Sequence, residues 1–428
     1  MSRNTALATR QHEAVPRGVA TKGIYATRAE NATLWDADGK EYIDFAAGIA
    51  VLNTGHRHPA IMQAVRDQLE SFTHTSFNVA PYESYIALAE RLNKITPGDF
   101  AKKTLLVTTG VEAVENAVKA ARHFTGRSAI VAFSGAFHGR TMMGMALTGK
   151  VQPYKKGFGP MPADVYHVAF PKTYHGLDTA AAMANLKQLF AADVEPARVA
   201  AIIVEPVQGE GGFYVAPFDF LRELRTLCDQ HGILLIVDEI QTGIARTGRM
   251  FAMEHAGVVP DLVTMAKGLG GGFPLSAVTG RADVMDSAQV GGLGGTYAGS
   301  PVAVAAAHAV LDVIEKEDLC ARAAKIGDMM QSRLKDMAKR NTFTCIGDVR
   351  GLGAMVAFEL VKDRETREPD AALTNALIAK AEEHGLILLS CGPDANVIRL
   401  LAPLTIPEEQ VQKGLDIIEQ SLAAVVAA

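Results

Sequence analysis

The chain has 428 residues, of which 48% are hydrophobic and 21% charged, with a formal net charge of −5. This balance suits a globular enzyme of two or three domains, and it gives no electrostatic reason to bind nucleic acid or an anionic membrane. The polar start MSRNTALATRQHEAVPRGVA lacks the apolar core of a secretory signal, no stretch is apolar enough to span a bilayer, and Cys228, Cys320, Cys345 and Cys391 are too scattered for a disulfide framework or a zinc site, so a reducing cytoplasm is expected.

In chain order, TLWDADGKEYIDFAAG predicts two short strands around an Asp-Gly turn. From about residue 104 the texture alternates as in parallel sheets. TLLVTTG (104–110) predicts a buried strand, and VEAVENAVKAARHFTG a helix with Val111, Val114, Val118 and Ala121 on one face, stopped by Gly126. Further strands are predicted at 128–134, 165–170, 199–207, 233–240 and 262–267, with a helix at 217–232. Their near-continuous apolar runs imply a sheet covered on both faces. After about residue 320 a long amphipathic helix (319–340) leads to strands around GDVRGLGAMVAFEL, LILLSCG and VIRLLAPLT, then a last helix from about 408. This predicts a smaller α+β domain, while VAVAAAHAVLDVI (302–314) reads as core packing.

Ligands of α/β sheets sit beyond the carboxyl ends of the strands. Asp238 and Glu239 close ILLIVDEI, Lys267 closes LVTMAK, Gly110 ends TLLVTTG where a helix begins, and Glu205 with the QGEGG turn follows VAAIIV. Taken singly, each is more often a surface group or an ordinary turn. Together they converge on one edge of one sheet. GMALTGKV (144–151) has the glycine and lysine spacing of a P-loop, but Val151 stands where the magnesium-binding hydroxyl belongs. No glycine-rich turn completes the dinucleotide pattern. A lone strand-end lysine near a buried aspartate suits pyridoxal phosphate instead, which needs an amine for its aldehyde, an acid facing its ring nitrogen and backbone N–H groups for its phosphate.

Across nearly its whole length the chain resembles the class III aminotransferases of the pyridoxal-phosphate fold-type I superfamily. The resemblance is carried by GIAVLNTGHRHP, PGDFAKKTLLVTTG, FHGRT, EPVQGEGGFY, VDEIQTG, AKGLGGGFPLSAVTGR, GGTYAGSP, GDVRGLGAM, GLILLSCG and RLLAPLT. It is strongest to the branch acting on 4-aminobutyrate or 5-aminovalerate. The resemblance implies a large domain (60–325) with a mostly parallel seven-stranded sheet, and a small α+β domain built from 1–59 and 326–428. It implies that Lys267 bonds the cofactor's aldehyde carbon and later moves a proton between substrate and cofactor. Asp238 would pair with the ring nitrogen, Gln241 would contact the ring hydroxyl, Phe137 would stack on the ring and Glu205 would support this network. Gly110 and Val111 would bind the phosphate through N–H groups, and Thr296 would reach the phosphate of a neighbouring subunit, implying a homodimer, with tetramers left open.

On the substrate side the resemblance implies Ile49 and Asn78 lining the pocket, Arg140 holding the distal carboxylate, and Arg399 holding the α-carboxylate of glutamate. Glu210 would neutralise Arg399 when 4-aminobutyrate, which has no α-carboxylate, is bound. Read without the resemblance, Arg140 and Arg399 would be structural and His138 a turn residue. Three positions depart from the family pattern: Val111 for a serine, Asn78 for a glutamine and Phe137 for a frequent tyrosine. The implied reaction passes an amine from 4-aminobutyrate, or from 5-aminovalerate, ornithine or another ω-amine, to 2-oxoglutarate.

Overall fold

Seven strands form the central sheet of the computed structural model, which describes residues 2–427. In chain order they are β1 (Lys102–Val107), β2 (Ala129–Phe133), β3 (Val165–Val168), β4 (Val199–Val204), β5 (Leu234–Asp238), β6 (Leu262–Met265) and β7 (Ser276–Arg281), and their spatial order is β1-β7-β6-β5-β4-β2-β3. Successive side chains of a strand face opposite sides. Ile130, Ala201, Ile203, Leu234 and Ile236 therefore pack on one face with Val114, Ala117 and Ala121 of the helix Gly110–Thr125. Val131, Ile202, Val204, Leu235 and Val237 pack on the other with Leu186, Phe220 and Leu224 of the helices Thr179–Ala192 and Phe218–His231. Every residue of β4 and β5 is buried.

One member of the sheet was not expected. β7 runs antiparallel to both β6 and β1. Its sequence SAVTGR is short and has Gly280 just before its last residue, and a glycine inside a strand mutes the pattern. Here Gly280 is needed for packing, because a Cβ there would lie 2.2 Å from Leu262 Cδ2. The preceding strand also ends earlier than expected. β6 stops at Met265, and Lys267 begins a 3₁₀ turn, Lys267–Gly270, with φ of +42°.

A second sheet orders Ile346–Leu352, Met355–Leu360, Val397–Leu400 and Leu389–Cys391 side by side, all antiparallel. The helices Leu319–Ala338, Ala371–Glu383 and Glu408–Val426 pack with it. A third sheet joins the two ends of the chain. Thr33–Asp36 and Glu41–Asp44, the hairpin expected from the sequence, are flanked by the unexpected strand Ala26–Glu30 and by Leu386–Ile387, which pairs in parallel with Glu41–Asp44. The polar N-terminus forms a helix, Arg3–Ala14, that buries none of its residues, so its sequence carries no apolar stripe to announce it. Among the described residues no helix is long and apolar enough to cross a membrane, and no cluster of three His, Cys, Asp or Glu could hold a metal.

Candidate active site

A cavity of about 540 Å³ opens beyond the carboxyl ends of the parallel strands. Each wall follows from a strand ending. After β1, Thr109 caps the helix Gly110–Thr125, and Glu112 binds back to the N–H groups of Thr109 at 2.7 Å and Thr108 at 3.0 Å. That capping box leaves the Gly110 and Val111 N–H groups, at the positive end of the helix dipole, as cavity lining. After β2 come Phe137, His138, Gly139 and Arg140; after β4, Glu205; at the end of β5, Asp238 followed by Gln241; after β6, Lys267.

Asp238 is the anionic floor. Its Oδ1 accepts hydrogen bonds from the Thr264 hydroxyl and the Ile240 N–H, both at 3.1 Å, and its Oδ2 lies 2.7 Å from His138 Nδ1. The sequence had suggested a turn role for His138; the structure buries it against Asp238. Burial alone would lower the imidazole's pKa, but the bond to the Asp238 carboxylate overrides this and raises it. Its Nε2 is buried without a partner.

The Lys267 amine has no hydrogen-bond or ion-pair partner among the described residues. Burial lowers its pKa from 10.5 to about 8, against the opposing pull of the Glu210 carboxylate. The amine thus gives up its proton far more readily than a free lysine, as a nucleophile and proton carrier must, although it stays mostly charged below about pH 8. Glu205 receives the N–H of Phe137 at 3.1 Å and of Gly209 at 3.4 Å, yet burial still lifts its pKa to about 7. Gln241 lies over Gly209, where a Cβ would stand 2.3 Å from its Oε1, and that oxygen is buried without a partner.

Glu210 lines the cavity and pairs with Arg399, which lies behind it and is not itself a lining residue. Arg399 is 5% exposed, its NH1 pairs with Glu210 Oε1, and its Nε is buried and unpartnered. Burial would raise the carboxyl's pKa, but the Arg399 guanidinium holds it below the usual value. Arg140 has no carboxylate within ion-pair distance among the described residues and sits 4.9 Å over the Tyr154 ring. Tyr154 escaped the sequence reading. Its hydroxyl reaches Glu210 Oε2 at 3.4 Å, and burial, then Glu210, pushes its pKa up to about 12. Val111, which lacks the serine hydroxyl of the family pattern, sends its side chain into a notch between Gly139 and Gly144, where added Cβ atoms would stand 2.2 and 2.6 Å from its Cγ2. Val51, Ile240 and Phe273 also line the cavity without any signal in the sequence.

Besides Arg399, which reaches the site only through Glu210, three expected residues stand apart. Ile49 is 44% exposed, at φ of +66°, two residues before the lining residue Val51. Asn78 and Thr296 are both exposed, and Asn78 packs over Gly294, close in sequence to Thr296. None of the three lines the cavity of this single chain.

A buried lysine amine with a lowered pKa, a fixed aspartate, an unpartnered amide oxygen and a helix N-terminus around one cavity fit pyridoxal phosphate, and together with the seven-stranded sheet they define a transferase built on that cofactor. The description "Aminotransferase class-III" matches residues 14–422, and the chain belongs to that family. It is 54% identical to 5-aminovalerate aminotransferase of Pseudomonas aeruginosa over 97% of this chain and 98% of that one, and 54% identical to 4-aminobutyrate aminotransferase of Escherichia coli over 98% of each. Among solved structures, an (S)-enantioselective omega-transaminase from Thermomicrobium roseum superposes with a TM-score of 0.91 at 31% identity, covering 99% of both chains. A PLP-bound amine transaminase from an uncultivated Pseudomonas species gives 0.87 at 31% identity over 96% of both. The protein is a pyridoxal-phosphate-dependent aminotransferase acting on small amine and keto-acid substrates. When bound, the cofactor supplies an electron sink that makes the hydrogen on the substrate's amine-bearing carbon removable.

Proposed function

We propose that the chain transfers the amine of 4-aminobutyrate to 2-oxoglutarate, releasing succinate semialdehyde and glutamate. The observation that carries this is the pairing of Glu210 with the buried Arg399 beside an unpaired Arg140. A buried guanidinium without a partner is costly. A donor with a single carboxylate takes Arg140 and leaves Glu210 on Arg399. A dicarboxylate such as glutamate takes both arginines once Glu210 swings away. One pocket thereby serves both halves of the reaction, and fork-shaped guanidinium recognition suits each carboxylate.

Lys267 Nζ would carry the proton from the substrate's amine-bearing carbon to the cofactor's aldehyde carbon in the donor half-reaction, and in the opposite direction in the acceptor half-reaction. Asp238, held by His138 and Thr264, would pair with the ring nitrogen; Gln241, Phe137 and Glu205 would hold the ring, and the Gly110 and Val111 N–H groups the phosphate. Asn78 and Thr296 share an exposed surface with Val79, Val290 and Tyr297. This supports a homodimer in which Thr296 completes a neighbouring subunit's phosphate site and Ile49 and Asn78 border its substrate. The domain division at 1–59, 60–325 and 326–428 and a cytoplasmic location belong to the same reading.

The relatives of equal identity differ in donor by one methylene, so 5-aminovalerate is the alternative that keeps the mechanism. A donor panel with 2-oxoglutarate decides. Turnover of 4-aminobutyrate at least equal to that of 5-aminovalerate and ornithine is expected, and none with 4-aminobutyrate would sink the assignment. Replacement of Glu210 by Ser should depress the 4-aminobutyrate half-reaction more than the glutamate one; equal losses would refute the switch.

A further inference from the structure

Arg350 is absent from the cavity wall, yet it holds the loop on which Glu210 sits. In the second sheet Arg350 pairs with Ala357, and Ala357 with Arg399, across three adjacent antiparallel strands. Cross-strand partners share a face, so the two arginines stand in one row with only a buried alanine between them. Both reach the same hairpin, Val207–Gln208 and Tyr214–Val215, a separate two-stranded sheet whose tip is GEGG. Arg399 pairs with the Glu210 carboxylate. Arg350 donates from Nε to the Gly212 carbonyl at 2.8 Å, two residues further on. The Glu210 carbonyl meanwhile accepts from the Gly392 N–H at 3.0 Å.

The Arg350 guanidinium is held through Nε and NH1, while its NH2 is buried without a partner. NH1 pairs with Asp348 at 2.7 Å and with Glu359, itself 2% exposed, at 2.8 Å. The guanidinium lies 3.9 Å over the Tyr214 ring, and the Tyr214 hydroxyl donates to Glu359 at 2.9 Å. His175 also reaches Glu359 at 3.0 Å. Gly212, at φ of +123°, admits no side chain, since a Cβ would meet the Tyr214 ring at 2.7 Å. The hairpin tip is therefore held to the second sheet by two bonds to its backbone and one to its movable carboxylate. Only the last must break when a dicarboxylate enters.

We propose that Arg350 is the positioning residue of the Glu210 switch: it keeps the hairpin tip in place so that Glu210 can leave Arg399 and return to it, and it thereby sets how well the enzyme accepts donors with one carboxylate. The proposal rests on the switch described above. Loss of the anchor lets the tip drift, so Glu210 neutralises Arg399 less often. A single-carboxylate donor then suffers, whereas a dicarboxylate, which competes with Glu210 for Arg399, gains.

The test uses the holoenzyme of Arg350→Lys, which keeps a charge beside Glu359 but lacks the planar fork that serves Gly212 and Glu359 together. Single-turnover rates with 4-aminobutyrate should fall about tenfold, the scale of one lost charge-assisted hydrogen bond, while those with glutamate stay within about twofold. Calorimetric titration with glutarate, a dicarboxylate that cannot react, should show binding tightened about threefold, the share of Arg399 that Glu210 no longer occupies. Structural damage alone would weaken glutarate and slow both donors alike, and either pattern, or no change, overturns the proposal. Should this variant not fold, Arg350→Met with Glu359→Gln removes the anchor without leaving a lone buried charge, and the same outcomes apply. Glu210→Ser is measured alongside. If it lacks donor selectivity, the switch is wrong and the anchor falls with it; if it is selective and the Arg350 variants are not, the anchor alone is wrong.

Discussion

Replacing Lys267 by methionine should stabilise the apoprotein, and by an amount that depends on pH. The amine's pKa falls from 10.5 to about 8 in the folded chain, chiefly through burial. A lowered lysine pKa means the unfolded chain binds more protons, so folded wild-type protein is penalised below about pH 8 and recovers stability as pH rises towards 10.5. At about 1.4 kcal/mol per unit, the penalty approaches ~3 kcal/mol at pH 7.5 and falls to ~1.4 kcal/mol at pH 9.5. Methionine fills similar space without a charge to bury. Urea unfolding of both apoproteins at these two pH values should therefore show the variant's advantage shrinking by about 2 kcal/mol, with groups common to both cancelling in the difference. A constant difference, or one that grows with pH, would refute the claim that the lysine is charged at a cost in the folded apoprotein.

Gly209→Ala puts a Cβ 2.3 Å from Gln241 Oε1 and must push that side chain aside. Affinity of the apoprotein for pyridoxal phosphate, read by fluorescence titration, should weaken about tenfold, the scale of one hydrogen bond to a charged or polarised group; unchanged affinity would remove Gln241 from the cofactor's neighbours. Gly327→Ala places a Cβ 1.9 Å from the Gly353 carbonyl oxygen, where the helix Leu319–Ala338 touches the turn before Met355–Leu360. Overpacking of this kind costs about 2 kcal/mol, so the melting temperature should drop without a change in donor preference, and a variant as stable as wild type would contradict the packing.

The parallel strands were readable because their apolar runs are long and uninterrupted, and Lys267, Asp238 and Glu205 because they end such runs. β7 escaped because a glycine-rich loop precedes it and a glycine interrupts it. His138 escaped for a different reason: its partner is 100 positions away, and no local pattern distinguishes a histidine in a turn from one aimed at a distant carboxylate. Tyr154 and Arg350 act through contacts of the same long-range kind, with Glu210 and Gly212. At Val111 the expectation of a lost contact missed a gain, since the isopropyl group fills space that two glycines leave open.

The lysine and the paired arginines belong to different sheets. Lys267 is bracketed by β6 and β7, whose register fixes Met265 opposite Ala277, while Arg350 and Arg399 ride on the second sheet. Mutational drift in one can therefore leave the other undisturbed. A lineage carrying this architecture is free to explore new amine donors by reshaping a three-residue row, without first risking the chemistry that all of them share.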